Sequence, residues 1–114
     1  MLQLQKFYSV EQLINYVKVD INLGDRFCLY TKEADSLELD SESLYWIDDY
    51  PEVDDDDREI YPEYVRENNL HYCYSGQQFA DVIYVAQKTK PDVTVEEYIQ
   101  ALNHYSKHDN FKVF

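Results

Sequence analysis

The chain has 114 residues, 45% of them hydrophobic and 29% charged, with a formal net charge of -13 at neutral pH and a pI near 4.3. That length holds one domain with a core of its own and is short for two. So large an acidic excess argues against a surface that grips phosphate backbones or anionic lipid, and therefore against direct nucleic-acid or membrane binding.

The first residues, "MLQLQKFYSV", lack the basic region, apolar core and small-residue cleavage site of a secretory signal. No apolar run approaches membrane-spanning length, so a cytoplasmic protein is expected. Ser9 and Gln12 have the spacing of a capping box, in which two side chains satisfy each other's orphan backbone N–H groups. A helix over 10–19 is predicted, with Leu13, Ile14 and Val17 on its apolar face and "NLGD" closing it, Gly24 as the natural break. Strand candidates follow in "RFCLYT" (Arg26 to Thr31), "SLYWID" (Ser43 to Asp48) and "LHYCYS" (Leu70 to Ser75), short aromatic-rich runs bounded by polar residues. Pro62 before "EYVREN" suits a short helix with proline at its start.

Two further capping boxes, Ser75 with Gln78 and Thr94 with Glu97, predict helices over 76–89 and 95–107. Phe79, Val82, Ile83 and Ala86 recur at i, i+3, i+4, i+7 in the first, as do Val95, Tyr98, Ile99 and Leu102 in the second. Only two glycines are present, too few for the tight turns of an all-β sandwich. The expected fold is a single α+β domain: a small sheet of three strands or more packed on three to four helices.

The charge is concentrated. Glu33 to Glu67 carries fifteen acids against two arginines, which equals the net charge of the whole chain; the remaining acids and bases cancel. Four aspartates in a row, Asp54 to Asp57, oppose compact folding, since each adjacent like-charged pair costs a few tenths of a kcal/mol. Either the run is a solvated acidic loop that keeps the protein soluble, which is the reading for such a run taken alone, or a binding partner offsets that cost. Around the run, Asp48, Asp49, Glu52, Glu59 and Glu63 interleave with Tyr45, Trp46, Tyr50, Tyr61 and Tyr64. Carboxylates take guanidinium forks and aromatic faces take cations, so the combination points to a basic protein partner. The candidate contacts are Asp48, Asp49, Tyr50, Glu52, Asp54, Asp55, Asp56, Asp57, Glu59, Tyr61, Glu63 and Tyr64, whereas Trp46 is assigned to the core.

Catalytic and metal readings are weaker. A twelve-residue calcium loop laid from Asp48 to Glu59 puts Tyr50 at its third position and Val53 where glycine must turn, so the pattern fails. His104 and His108 share a helix face, but the zincin glutamate is missing, and histidines near a helix C-terminus suit its dipole. Cys28 and Cys73 stand far apart in apolar runs, as packed thiols do; a Cys73–His71 dyad would need an orienting third group. No catalytic residue, metal or cofactor is assigned, and an enzyme is not expected.

The ending "PDVTVEEYIQ" and "ALNHYSKHDNFKVF" (Ala101 to Phe114) resembles the C-terminal quarter of small acidic immunity proteins of bacterial contact-dependent growth inhibition and related polymorphic toxin systems. The resemblance carries no functional residue. It implies a class: a cytoplasmic protein that binds and blocks a cognate toxin domain of a CdiA-like effector. Many such toxins are nucleases with basic clefts, which an acidic face would fit. The alternatives are a nucleic-acid mimic or regulatory adaptor on another basic protein, and a small hydrolase or metal-dependent enzyme.

Overall fold

The computed structural model describes residues 2–32 and 38–112. A radius of gyration of 14.0 Å lies close to the ~13 Å of a compact chain of this length. Strand β1 (Lys6–Ser9) runs straight into helix α1 (Val10–Val19), and a 3-10 helix (Ile21–Arg26) leads to β2 (Cys28–Thr31). Then come β3 (Leu44–Asp48), the two-residue strands β4 (Glu52–Val53) and β5 (Glu59–Ile60), and helix α2 (Glu63–Glu67). Strand β6 (His71–Ser75) precedes helices α3 (Gly76–Thr89) and α4 (Val95–His108). This is an α+β fold.

The capping residues place the three long helices. Ser9 and Gln12 exchange both bonds at the start of α1, as do Thr94 and Glu97 at the start of α4. Ser75 accepts from the Gln78 N–H at the start of α3. Each stripe faces inward: Leu13, Ile14, Val17, Phe79, Val82, Ile83, Ala86, Tyr98, Ile99 and Leu102 are all buried. Val95 packs only partly.

The main sheet is antiparallel in the order β1-β3-β2-β6, with Phe7 opposite Trp46 and Leu29 opposite Ile47. On one face Tyr8, Leu29, Tyr45, Ile47 and Tyr74 meet α1, α3 and α4 in the larger core, and the Tyr74 hydroxyl donates to the Leu102 carbonyl at 3.0 Å. A bulge in the β2–β6 pairing sets Tyr74 opposite Leu29 but Tyr72 opposite Tyr30. Tyr72 and Tyr74 therefore serve opposite faces although they are two apart.

Gly24 does not end α1. That helix stops at Val19 with Asp20 as an extended C-cap, and no glycine has a positive φ. Gly24 and Gly76 instead let the 3-10 helix, β2 and α3 touch backbone to backbone. A Cβ on Gly24 would lie 2.4 Å from the Gly76 carbonyl oxygen, and one on Gly76 would lie 2.2 Å from that of Phe27. The left-handed positions that glycine usually fills are taken by Gln5, Asp57, Asn69 and Asp109. Among the described residues, no helix is long and apolar enough to cross a membrane.

Candidate partner-binding surface

The second face of the sheet is apolar too, with Cys28, Tyr30 and Trp46 buried, so it must be covered. The acidic segment is the cover. Val65 of α2, Leu70 just beyond the segment, and Tyr50, Tyr61 and Tyr64 pack against this face, to which β1 contributes Phe7. Tyr64 stacks on Trp46 with ring centroids 3.8 Å apart, and Tyr61 meets Tyr30 edge-on at 6.2 Å. The alternation of rings and acids thus has a structural reason: the rings turn inward and most of the carboxylates outward.

Four candidates turn inward as a result: Tyr61 and Tyr64 by their rings, and Asp48 and Tyr50 by their polar groups as well. Asp48 is 1% exposed; it accepts from the Trp46 indole N–H at 2.9 Å and from the Asp49 N–H at 2.8 Å. It anchors the tryptophan and is withdrawn from any partner. Trp46 and Asp48 are two apart on a strand and share a face, a pairing that strand periodicity makes readable. Tyr50 spends its hydroxyl inside the molecule, donating to the Gly24 carbonyl at 3.0 Å and accepting from the Gln77 N–H at 3.1 Å.

The aspartate run is the tip of a hairpin. Glu52 pairs with Ile60 and Val53 with Glu59. Between them the Asp57 N–H donates to the Asp54 carbonyl at 3.1 Å, the Asp54 N–H donates to the Arg58 carbonyl at 3.0 Å, and Asp57 is left-handed with φ 61°. This is the three-residue hairpin loop, a tight turn followed by a left-handed residue. Asp54 Oδ1 accepts from the N–H groups of Asp56 and Arg58, both at 2.9 Å. The Arg58 guanidinium reaches Asp54 at 3.3 Å and Asp56 at 3.1 Å. These exposed ion pairs contribute at most about 1 kcal/mol each. The expected repulsion is therefore offset within the free chain, by turn hydrogen bonds and Arg58, rather than only in a complex. Asp55, Asp56, Asp57 and Glu59 remain exposed.

Beside the hairpin lies a cleft of about 220 Å³ between β4–β5 and α2. Asp49, Glu52 and Glu63 supply carboxylates, and Tyr50, Tyr61, Ile60 and Pro62 form apolar walls. Arg66 is the one base there; its Nε donates to the Tyr61 carbonyl at 2.9 Å. Sequence reasoning missed Ile60, because a two-residue exposed strand carries no periodic signal, and Arg66 of α2, because a lone base among acids gives no sign that its guanidinium caps the Tyr61 carbonyl. Tyr61 donates to Glu59, whose bond holds the phenol above its ordinary range. On α2, a hydrogen bond with Glu63 raises Glu67. Of the larger hollows, one of about 320 Å³ beside Lys32 has no carboxylate, one of about 370 Å³ sets Asp25 and Asp81 beside Tyr84 alone, and one of about 300 Å³ on the other side of α2 joins Glu63 and Glu67 with Trp46 and Tyr64, extending the acidic, aromatic surface.

A family model covers residues 10–114, nearly the whole chain, and its description is a domain of unknown function, DUF7716. The chain belongs to the DUF7716 family. No curated protein and no solved structure matches it.

Elsewhere in this DUF7716 domain, the His104 Nε2–H donates to Asn110 Oδ1 at 2.8 Å, and its ring lies 4.7 Å from that of His108. Among the described residues no three His, Cys, Asp or Glu are placed to hold a metal ion. Phe111 packs on Tyr105 with centroids 5.0 Å apart, while Val113 and Phe114 lie outside the described residues, as do Glu33 and Asp35 of the acidic segment. Burial pushes the Cys28 thiol up to about 11 and that of Cys73 up to about 12. His71 is exposed and Cys73 packs against the larger core, so the two do not make an activated pair. Both thiols are expected to stay unlabelled by a thiol reagent in native protein at neutral pH and to react together on denaturation. Fast native labelling of Cys73 would contradict the packed reading.

Proposed function

We propose that this chain is an immunity protein that binds a basic toxin domain, a nuclease of a CdiA-like effector, and neutralises it by occlusion in the cytoplasm of the producing cell. It acts by binding, without catalysis, cofactor or metal. The observation that carries the reading is the hairpin with its cleft: Asp55, Asp56, Asp57 and Glu59 stand in solvent beside a carboxylate-lined, tyrosine-walled hollow. A cleft built for phosphates presents cations, and these carboxylates stand where phosphate oxygens would. The C-terminal resemblance supplies the class of partner.

Capture of the tagged chain from producing cells, with mass spectrometry of what binds, should return a basic toxin-type protein. Stopped-flow association then tests the surface. Changing Asp54 to Asp57 to asparagine removes the charge and keeps the turn, because asparagine accepts the same hydrogen bonds and tolerates the left-handed position of residue 57. The on-rate should fall about ten- to a hundredfold at low salt, the off-rate should change less, and the salt dependence should flatten. Equal on-rates with equal salt slopes would end the steering reading. A captured basic protein unrelated to toxins would favour an adaptor or nucleic-acid mimic.

A further inference from the structure

Two Tyr-Pro-Glu tripeptides, Tyr50 to Glu52 and Tyr61 to Glu63, bracket the hairpin. Each proline fixes its own φ and confines the tyrosine before it to extended conformations, so both legs of the hairpin are stiff. Both rings rest on the second face of the sheet. Their hydroxyls differ. That of Tyr61 bonds Glu59, within the hairpin segment itself. That of Tyr50 reaches the body: Gly24 of the 3-10 helix, the Gln77 N–H of α3, and Ser75 Oγ at 3.4 Å. This point is the place where Gly24 and Gly76 bring backbone against backbone, which makes it one of the least deformable in the molecule.

We propose that Tyr50 is a positioning residue that holds the Asp54–Asp57 hairpin as a pre-organised finger in the free protein. A basic partner then meets carboxylates already in place and bears less ordering cost on binding. The proposal deepens the partner-binding reading and rests on it for that consequence. Strands of two residues make a hairpin too small to be stable alone, so its ladder depends on attachment to the body. Releasing the leg at Tyr50 melts the tip.

The test uses the free full-length chain, with backbone relaxation and amide hydrogen exchange read residue by residue. In the wild type, the Asp54, Asp57 and Arg58 amides should show order parameters near about 0.85, as rigid backbone does. In Tyr50→Phe the Gln77 amide and these three should exchange at least about tenfold faster, while the Leu29 and Ile47 amides change by less than about threefold, the mark of local rather than global opening. Tyr61→Phe should leave the hairpin amides unchanged. Wild-type order parameters below about 0.6 at the tip, or hairpin exchange unaltered in Tyr50→Phe, would overturn the proposal. Should Tyr50→Phe open the whole fold, the wild-type order parameters decide alone. None of these readouts needs a partner. Failure to capture a basic protein would leave them standing, and a mobile tip combined with a charge-dependent on-rate would sink this proposal while sparing the partner reading.

Discussion

Replacing Gly76 by alanine is expected to destabilise the domain by at least about 3 kcal/mol, a fall in Tm of about 10–20 °C. Helix propensity argues the other way, because alanine at the first position of α3 would gain up to about 1 kcal/mol over glycine. Packing decides against it. The new Cβ would sit 2.2 Å from the Phe27 carbonyl oxygen and 2.5 Å from that of Gly24, and both are backbone atoms that cannot rotate away. The Gly76 N–H also donates to the Phe27 carbonyl at 2.9 Å, so separating the elements loses a buried hydrogen bond as well. Gly24→Ala should act in the same direction, its Cβ meeting the Gly76 carbonyl at 2.4 Å and the Ala80 Cβ at 2.9 Å. Urea and thermal denaturation measure both. A Gly76→Ala protein as stable as the wild type would mean that the two backbones are not in contact.

The glycines also show where sequence reasoning reaches and where it stops. Helix starts were legible because a cap is a local device: Ser9, Ser75 and Thr94 sit beside the groups they satisfy. Strands β2, β3 and β6 were legible within two residues at their ends. In sequence Gly24 resembles a helix stop, because nothing there indicates that Gly76 lies against it, 52 positions away. Strand β1 was missed for a related reason. Its Ser9 is both the last residue of the strand and the cap of α1, so no turn signal separates the two elements.

At the candidate surface the acidic segment was legible as a whole and its interior was not. Charge asymmetry located it, but which groups face out depends on what the second sheet face needs covered. Trp46 goes to the core as expected, and Tyr64 goes with it as a stacking partner. Asp48 goes too, since a buried indole N–H requires an acceptor. The aspartate run looked unfoldable as a list of like charges. As a turn it is well chosen: aspartate at the first position accepts backbone N–H bonds, and at the last tolerates a left-handed backbone.

Above pH ~10 the domain is expected to unfold in one step coupled to tyrosine ionisation. Burial raises the Tyr30 and Tyr74 phenols well above their ordinary value of 10.0, and raises Cys28 from 9.0 to about 11. All three side chains are buried, Tyr30 and Cys28 fully. Below pH ~8 the folded and unfolded chains both hold these protons, so pH has no effect through them. Between the ordinary and the raised values only the folded state keeps them, the unfolded state binds fewer protons, and stability falls as pH rises. Each such group lowers stability by about 1.4 kcal/mol per pH unit while only its unfolded form is ionised, so the three together remove about 4 kcal/mol per unit between pH ~10 and ~11, and the two phenols about 3 kcal/mol per unit above that, where Cys28 is ionised in both states. A small domain near the lower end of the typical 5–15 kcal/mol is exhausted within about two units. Titration from pH 8 to 13, following helical circular dichroism and tyrosinate absorbance together, should show a cooperative step common to both signals. Smooth tyrosine titration centred near 10 with the helix signal intact would show that Tyr30 and Tyr74 are open to solvent, and with them both faces of the sheet.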